Sequence, residues 1–447
     1  MSAFAICTGS IKFCKLCLVL IFAGWIHLAV AENSELVIEI TSGFDQQTKI
    51  AVVPFHWAGI GLLPESVSDI VGADLFRTGQ FRALEKEKML DRPYGADDIV
   101  FSDWRLLGVD YVVIGRLNPI ANQSDQMRYE FELYDTRSES QMLASEGAAG
   151  DLRDLAHYIS DQVYERLTGI PGAFSTQILY ITVERKSSNR SVYRLRRADA
   201  DGHRVVTLFE SDEPILSPSW SPDGRKVVYV SYHKGDRPAI FIQDVATGKQ
   251  TQVTNFAGLN GAPDWSPDGK SLVMTLSRDG NPEIYNMLLA TGQLTRLTNH
   301  YGIDTEGRWL QDGKHIVFTS DRGGSPQIYR MNVMSKEMER LTFDGQYNAR
   351  PSVSEDGRFL AMVHRRRGKF HVAVQDLEVG YLRILTETTL DESPSIAPNG
   401  SMLIYATHEN GRELLSAVSL DGKVKVRLPA RTGAVREPAW SPQLVAR

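Results

Sequence analysis

A turn of the form Ser-Pro-Asp-Gly, or a close variant, recurs five times in the last half of the chain. The turns end at Gly224, Gly269, Gly313, Gly357 and Gly400, at intervals of 45, 44, 44 and 43 residues. A period in the forties, with several short apolar runs in each unit, predicts a β-propeller in which each repeat makes one four-stranded blade. In WSPDGRKVVYVS, Pro222 presets φ for the turn and Gly224 takes the positive-φ position before the strand at 227–230. The same grammar places further blades at Trp265, Trp309, Val353 and Ile396, and the five blades have third strands at 240–242, 284–285, 328–329, 372–374 and 414–415 and outer ones such as 295–298 or 340–342.

The segment Pro438-Ala439-Trp440-Ser441-Pro442 restarts the repeat 44 residues after Ile396. The strands missing from that unit are expected upstream, at 178–183, 192–195 and 205–208. Pairing of the C-terminal strand with them would close the ring non-covalently and hide edges that would otherwise aggregate. Six blades are expected, over residues 175–447.

Lys12 and Lys15 precede an apolar run at 16–30, and Ala29-Val30-Ala31 fits a small-residue cleavage site. Residues 1–31 therefore read as a cleaved export signal, with the exported chain starting at Glu32. Cys7, Cys14 and Cys17 all lie inside it, so the exported protein is expected to have no disulfide, thiolate metal ligand or cysteine nucleophile. Without the signal, 47 Lys+Arg stand against 55 Asp+Glu, a formal charge of −8. That balance argues against nucleic acid or anionic lipid as the main partner.

Residues 32–170 carry no repeat turn. Strand-like runs at 36–40, 50–54, 111–114 and 129–133 alternate with helical patterns at 64–77, 97–107 and 152–167, which predicts a small α/β domain. A turn-rich junction, Gly169-Ile170-Pro171-Gly172-Ala173, follows. The fold class is thus an α/β domain followed by an all-β six-bladed propeller.

Three features tie this arrangement to a known family. The segment ELVIEITSGFDQQTKIAVVPF from Glu35, the repeats including LDESPSIAPNGSMLIYAT from Leu390, and the closing REPAWSP from Arg436 resemble the TolB family of the Tol-Pal system, over essentially the whole exported chain. The resemblance implies a non-enzymatic adaptor in the periplasm of Gram-negative bacteria. Its propeller would bind Pal, the peptidoglycan-associated lipoprotein, and its N-terminal segment would bind the inner-membrane-anchored TolA. In the family this assembly supports outer-membrane integrity and constriction during cell division, and some colicins and phages exploit it for import. A monomer that meets membranes only through its partners is expected.

In a propeller the innermost strands run along the central channel, so residues just before each turn-bearing strand collect at one mouth. By the resemblance, this mouth is the Pal-binding rim. Its candidate residues are Ser217, Asn260, Ala262, Asp304, Thr305, Glu306, Ala349, Arg350, Glu392, Ser393, Arg436 and Glu437, with Asn260, Ala262, Thr305 and Glu306 at its centre. The bland alternative is that Ala262 and the neighbouring prolines merely begin strands. The third blade departs from the family pattern, with Glu306-Gly307 where a Glu-Pro pair is usual and no proline in Leu310-Gln311-Asp312-Gly313, so a softer loop is expected there. Asp304, Glu306, Glu392 and Glu437 could together hold calcium, but without a dense Asp-x-Asp loop no metal or other cofactor is expected.

The TolA-binding candidates are Glu32, Glu35, Leu36, Val37, Ile38, Glu39 and Ile40. A strand-like run with one free end can add to a partner's sheet; its alternative role is an ordinary edge strand of the α/β sheet. The main rival function is a periplasmic propeller hydrolase or lactonase using channel carboxylates. Against it, no Gly-x-Ser-x-Gly elbow or His-Glu-x-x-His pattern occurs, and five residues follow Pro442, so an appended catalytic domain is not expected. A carbohydrate-binding module is a further alternative, but Trp220, Trp265, Trp309 and Trp440 recur at blade period and so read as core. His300 reads as a local cap, and Arg365-Arg366-Arg367 as a solvated hairpin tip.

Overall fold

The computed structural model describes residues 37–40, 47–188, 190–235, 237–409, 411–428 and 433–444. The expected export signal, and Glu32, Glu35 and Leu36 among the TolA-binding candidates, lie outside them. The described residues belong to one compact unit.

Strand β1 is Val37–Ile40, followed by β2 (Thr48–Val52), β3 (His56–Trp57), β4 (Phe81–Ala83), β5 (Tyr111–Ile120), β6 (Gln123–Asp135) and β7 (Ser140–Ala149). A mixed sheet runs β4-β2-β5-β6-β7, with β3 beside β5. The contacts of β2 with β4 and β5 are parallel; β6 and β7 extend the sheet antiparallel. Alternation along β2 sorts the core: Ile50 and Val52 face helices α1 (Val67–Arg77) and α3 (Leu152–Thr168), while Ala51 and Val53 face α2 (Phe101–Leu106). Capping fixes the helix ends. Ser66 accepts from the Asp69 amide at the start of α1, Asp151 accepts from the Arg153 and Asp154 amides at the start of α3, and Gly169 ends α3 at φ 75°.

The propeller has six four-stranded blades. The first comprises Ile215–Trp220, Lys226–Ser231, Ala239–Asp244 and Gln250–Gln252. Blades two to five repeat this from inner strands Asn260–Trp265, Asp304–Trp309, Asn348–Val353 and Asp391–Ile396. The sixth takes its inner strand, Ala434–Trp440, from the C-terminus and completes it with β8 (Gln177–Ser187), β9 (Arg190–Asp199) and β10 (Val206–Ser211). The outer strands of blades two and three, Gln293–Arg296 and Met338–Arg340, end two residues earlier than the apolar pattern suggests, because a threonine hydroxyl there caps the third strand. Thr298 Oγ1 accepts from Ile284 N (3.0 Å) and Thr342 Oγ1 from Ile328 N (2.9 Å).

The recurring turn explains itself in hydrogen bonds. Ser221 Oγ accepts from Lys226 N (2.8 Å) and Asp223 Oδ1 from Arg225 N (3.0 Å), and Ser266 with Asp268, and Ser354 with Asp356, repeat the arrangement. In blade three, Asp312 alone takes the amides of Lys314 (2.8 Å) and His315 (3.0 Å). Apolar clusters fill each of the six inter-blade seams. Val228, Val230 and Ile240 of blade one pack on Leu272, Met274 and Tyr285 of blade two, and Ile178 and Ala198 of blade six pack on Ile404 and Ala406 of blade five. Each buried valine, leucine, isoleucine or methionine among them contributes about 1.5–3 kcal/mol, so the ring is held at every seam.

The expectation that the N-terminal run is an edge strand of the α/β sheet is corrected. Strand β1 pairs antiparallel with Val424–Arg427, the outer strand of blade five, in the register Val37↔Arg427 to Ile40↔Val424. The α/β sheet ends instead in the short β4, whereas the blade offers an unpaired outer edge to the incoming strand.

Candidate functional site at the channel mouth

All six inner strands break their ladder at the same place. The register shifts between Leu216 and Ser219, Gly261 and Asp264, Thr305 and Arg308, Ala349 and Ser352, Glu392 and Ser395, and Arg436 and Ala439. At each shift one residue is left-handed: Ser217 (φ 49°), Ala262 (43°), Glu306 (59°), Arg350 (56°), Ser393 (54°) and Glu437 (50°). Non-glycine residues adopt this conformation at a cost of order 1 kcal/mol or more, so the six bulges are built features. Proline follows five of them; lacking an N–H, it suits a strand facing the bore. Gly307 replaces it in blade three, where an added Cβ would lie 3.2 Å from Val273 and 3.3 Å from Ile284.

The bulge turns backbone amides toward the neighbouring blade. Glu306 N donates to Thr275 Oγ1 (3.2 Å), Arg350 N to Thr319 Oγ1 (3.1 Å) and Glu306 Oε2 (2.9 Å), and Ser217 N to Glu437. The side chains of these residues then meet in a central cavity of about 680 Å³. Arg350 spans it, with Nε 3.3 Å from Glu306 Oε1, Nη2 3.9 Å from Glu437 Oε1, and Nη1 on Ser393 Oγ. Burial pushes the Glu437 carboxyl up against the pull of Arg350. The Arg350 guanidinium loses from burial but gains more from Glu437 and Glu306, and stays charged. Glu306 and Glu437, two of the carboxylates weighed for a cation or a hydrolytic reaction, thus face an internal arginine.

The strand-start mouth is ringed by exposed apolar side chains that the sequence reading did not single out: Leu216, Leu259, Ile303 and Leu390. Leu259, Ile303 and Leu390 each stand one residue before an inner strand, and that periodicity was the signal available; Leu216 is the second residue of its strand. Of the sequence candidates, Ser217, Asn260, Ala262, Thr305, Glu306, Arg350, Ser393 and Glu437 line the cavity, while Asp304, Ala349, Glu392 and Arg436 do not. Asn260, although at its edge, is fully buried and bonds through Nδ2 to Phe256 O (2.8 Å). Asp304 is equally buried and pairs with Arg322 at 2.6 Å. Arg436 forms a two-pronged pair with Glu413 at 2.7 Å. His300 accepts from Gly302 N through Nδ1 (2.9 Å) and is a local cap.

The α/β domain sits at the opposite, turn-bearing end of the channel. There Asn399 Nδ2 donates to Pro171 O (2.9 Å) and Gln443 Nε2 to Gly172 O (3.1 Å). Phe76 packs on Val424 and Val426.

Both halves of this architecture match known domains. Residues 36–142 match the TolB amino-terminal domain and residues 164–444 the TolB β-propeller domain. The chain is 53% identical over 409 residues to the Tol-Pal system protein TolB of Pseudomonas aeruginosa, covering 91% of this chain and 94% of that one. It is 52% identical over 417 residues to that of Alcanivorax borkumensis, covering 93% and 95%. It belongs to the TolB family. The crystal structure of TolB from Acinetobacter baumannii superposes with a TM-score of 0.83 at 45% identity, over 92% of this chain and all of that one. Membership gives the chain a role in the Tol-Pal system, whose TolB relatives carry the name of a system component and of no enzyme. Among the described residues, no helix is long and apolar enough to cross a membrane.

Proposed function

We propose that this protein is a non-enzymatic periplasmic adaptor that binds Pal at the strand-start mouth of the channel and TolA through residues 32–40, serving outer-membrane integrity and constriction during division. The observation that carries the reading is the mouth itself. Exposed Leu216, Leu259, Ile303 and Leu390 surround a pre-paired charge cluster of Glu306, Arg350 and Glu437, a combination of apolar rim and charged floor suited to a protein loop with apolar anchors. The α/β domain leaves this face open. For TolA, β1 is held along one edge only, so its backbone can be exchanged for a partner's sheet.

Calorimetric titration with the soluble domain of Pal tests the first part. Saturable one-to-one binding, weakened more than about tenfold by Ile303→Asp with Leu390→Asp, is expected; no binding, or binding indifferent to the two changes, would refute it. Unchanged TolA affinity after deletion of residues 32–40 would refute the second part.

A further inference from the structure

A second cluster of charged side chains lies far from the channel, where α1 and α3 clasp the hairpin between β9 and β10. Asp74, His157, Asp199 and Asp201 are each at least nine-tenths buried there. Asp74 accepts from Arg77 Nη2 (2.5 Å) and Ser160 Oγ (2.7 Å), and its other contact is His157 Nδ1, at 2.7 Å. An ionised carboxylate only accepts, so Nδ1 carries a proton. His157 Nε2 has no hydrogen-bond partner, yet it points across the domain boundary at Asp199 Oδ2 and Asp201 Oδ2, each 3.9 Å away. With Nδ1 protonated, a neutral ring would aim a lone pair at two carboxylates; the imidazolium aims an N–H at them.

We propose that His157 is a proton-operated latch between the α/β domain and the propeller. The imidazolium bridges Asp74 on its own domain to Asp199 and Asp201 of the propeller hairpin, and loss of its proton loosens the hairpin from the helices.

The surrounding charges leave room for one more positive charge. Asp74 and Arg77 come from α1, Glu65 from the segment before it, Arg153, Asp151, Asp154 and Asp161 from α3, and Asp199, Asp201, His203 and Arg204 from the hairpin. Arg153 is shared among Glu65, Asp199 and Asp201, and Arg204 among Asp151, Asp154 and Asp199, so carboxylates outnumber guanidiniums. Asp74, His157 and Asp201 also bring ligand-type atoms within 4.8 Å of one another. However, Arg153 occupies Asp201 Oδ2 and Arg204 lies 2.7 Å from Asp199 Oδ2. A divalent cation on Asp74, His157 and Asp201 would have to displace Arg153 from Asp201, whereas a proton displaces neither arginine.

Burial disfavours the charged ring, but attraction to Asp74, the hydrogen bond to it and then Asp201 outweigh burial and hold the imidazole above its ordinary value. A raised value means that the docked state binds the proton more tightly. The latch is therefore whole below the ordinary histidine range, about 6.5, and is lost as pH rises through the raised one.

Hydrogen exchange of the full chain, corrected for intrinsic rates, and NMR of its 15N-histidine signals between about pH 5 and about pH 8 test the latch. Amides of α3 and the 199–204 hairpin are expected to lose protection severalfold as pH rises. Those of the blade-one strand Lys226–Ser231 should stay constant, and His157→Gln should start low and show no pH dependence. If that variant does not fold, the wild-type titration decides: Nε2 protonated at about pH 6 supports the latch. Deprotonated Nε2 there, protection independent of pH, or zinc alone displacing the ring proton and raising protection would overturn it.

Discussion

The propeller receives two terminal segments by the same interaction, antiparallel strand addition, with different consequences. The C-terminal strand Ala434–Trp440 enters blade six at the innermost position and is held on three sides. It pairs with β8, Trp440 N donates to Ser395 Oγ of blade five (2.9 Å), and Ala439 O accepts from Trp220 Nε1 of blade one (3.2 Å). Strand β1 joins blade five at its outer edge and is paired along one side for four residues. The same antiparallel pairing is thus a lock where blades five and one reinforce it, and a four-residue contact along one side where β1 meets blade five.

The largest effect expected from this contrast is that of removing residues 434–447. Blade six would lose its inner strand and expose the edge of β8, and calorimetry should show no cooperative unfolding of the propeller; a retained transition near the original temperature would break the comparison. Trp440→Ala comes next, losing packing as well as the indole bond to Thr176 Oγ1 (2.8 Å), with a cost of about 3 kcal/mol in urea unfolding. Between lock and loose strand lies the junction. Asp161 accepts from Phe174 N (2.7 Å) and Ser175 N (3.1 Å), and Asp161→Ala, which strands these amides, should cost about 1–3 kcal/mol by the same measurement. Deleting residues 32–40 should change stability least, by less than about 1 kcal/mol; a larger loss would make β1 a structural strand and sharpen the comparison against exchange.

Legibility in the sequence followed periodicity. The Ser-Pro-Asp-Gly turns and their variants were readable because a serine with an aspartate, at Ser221, Ser266 and Ser354, or an aspartate alone, at Asp312, satisfies the turn's own amides, a local requirement that recurs at blade period. Strands β3, β4 and β7 were missed. Phe81–Ala83 is too short to show alternation, and Ser140–Ala149, on the sheet's edge, has no strongly apolar face. At the channel, Ser217, Ala262, Glu306, Arg350, Ser393 and Glu437 were among the candidates, but that all six are left-handed went unread. The prolines after five of them were the signal, since proline inside a strand marks an edge or bulge. Asn260 and Asp304 read as surface polar residues and are buried, because they bond to their own blade's connecting segments.

The amino-acid sequence by itself determined the blade count, the split sixth blade and the alternation that sorts Ile50 and Val52 from Ala51 and Val53, because these depend on turn chemistry and on periods of two residues or of about forty-four. Only the tertiary structure decided that β1 lies on blade five, that Arg350 spans the channel between Glu306 and Glu437, and that His157 meets Asp199 and Asp201 across the domain boundary. Each joins single residues far apart in the chain. Such contacts have no local pattern; they arise where packing of the whole chain brings complementary charges, or an unpaired strand edge, within reach.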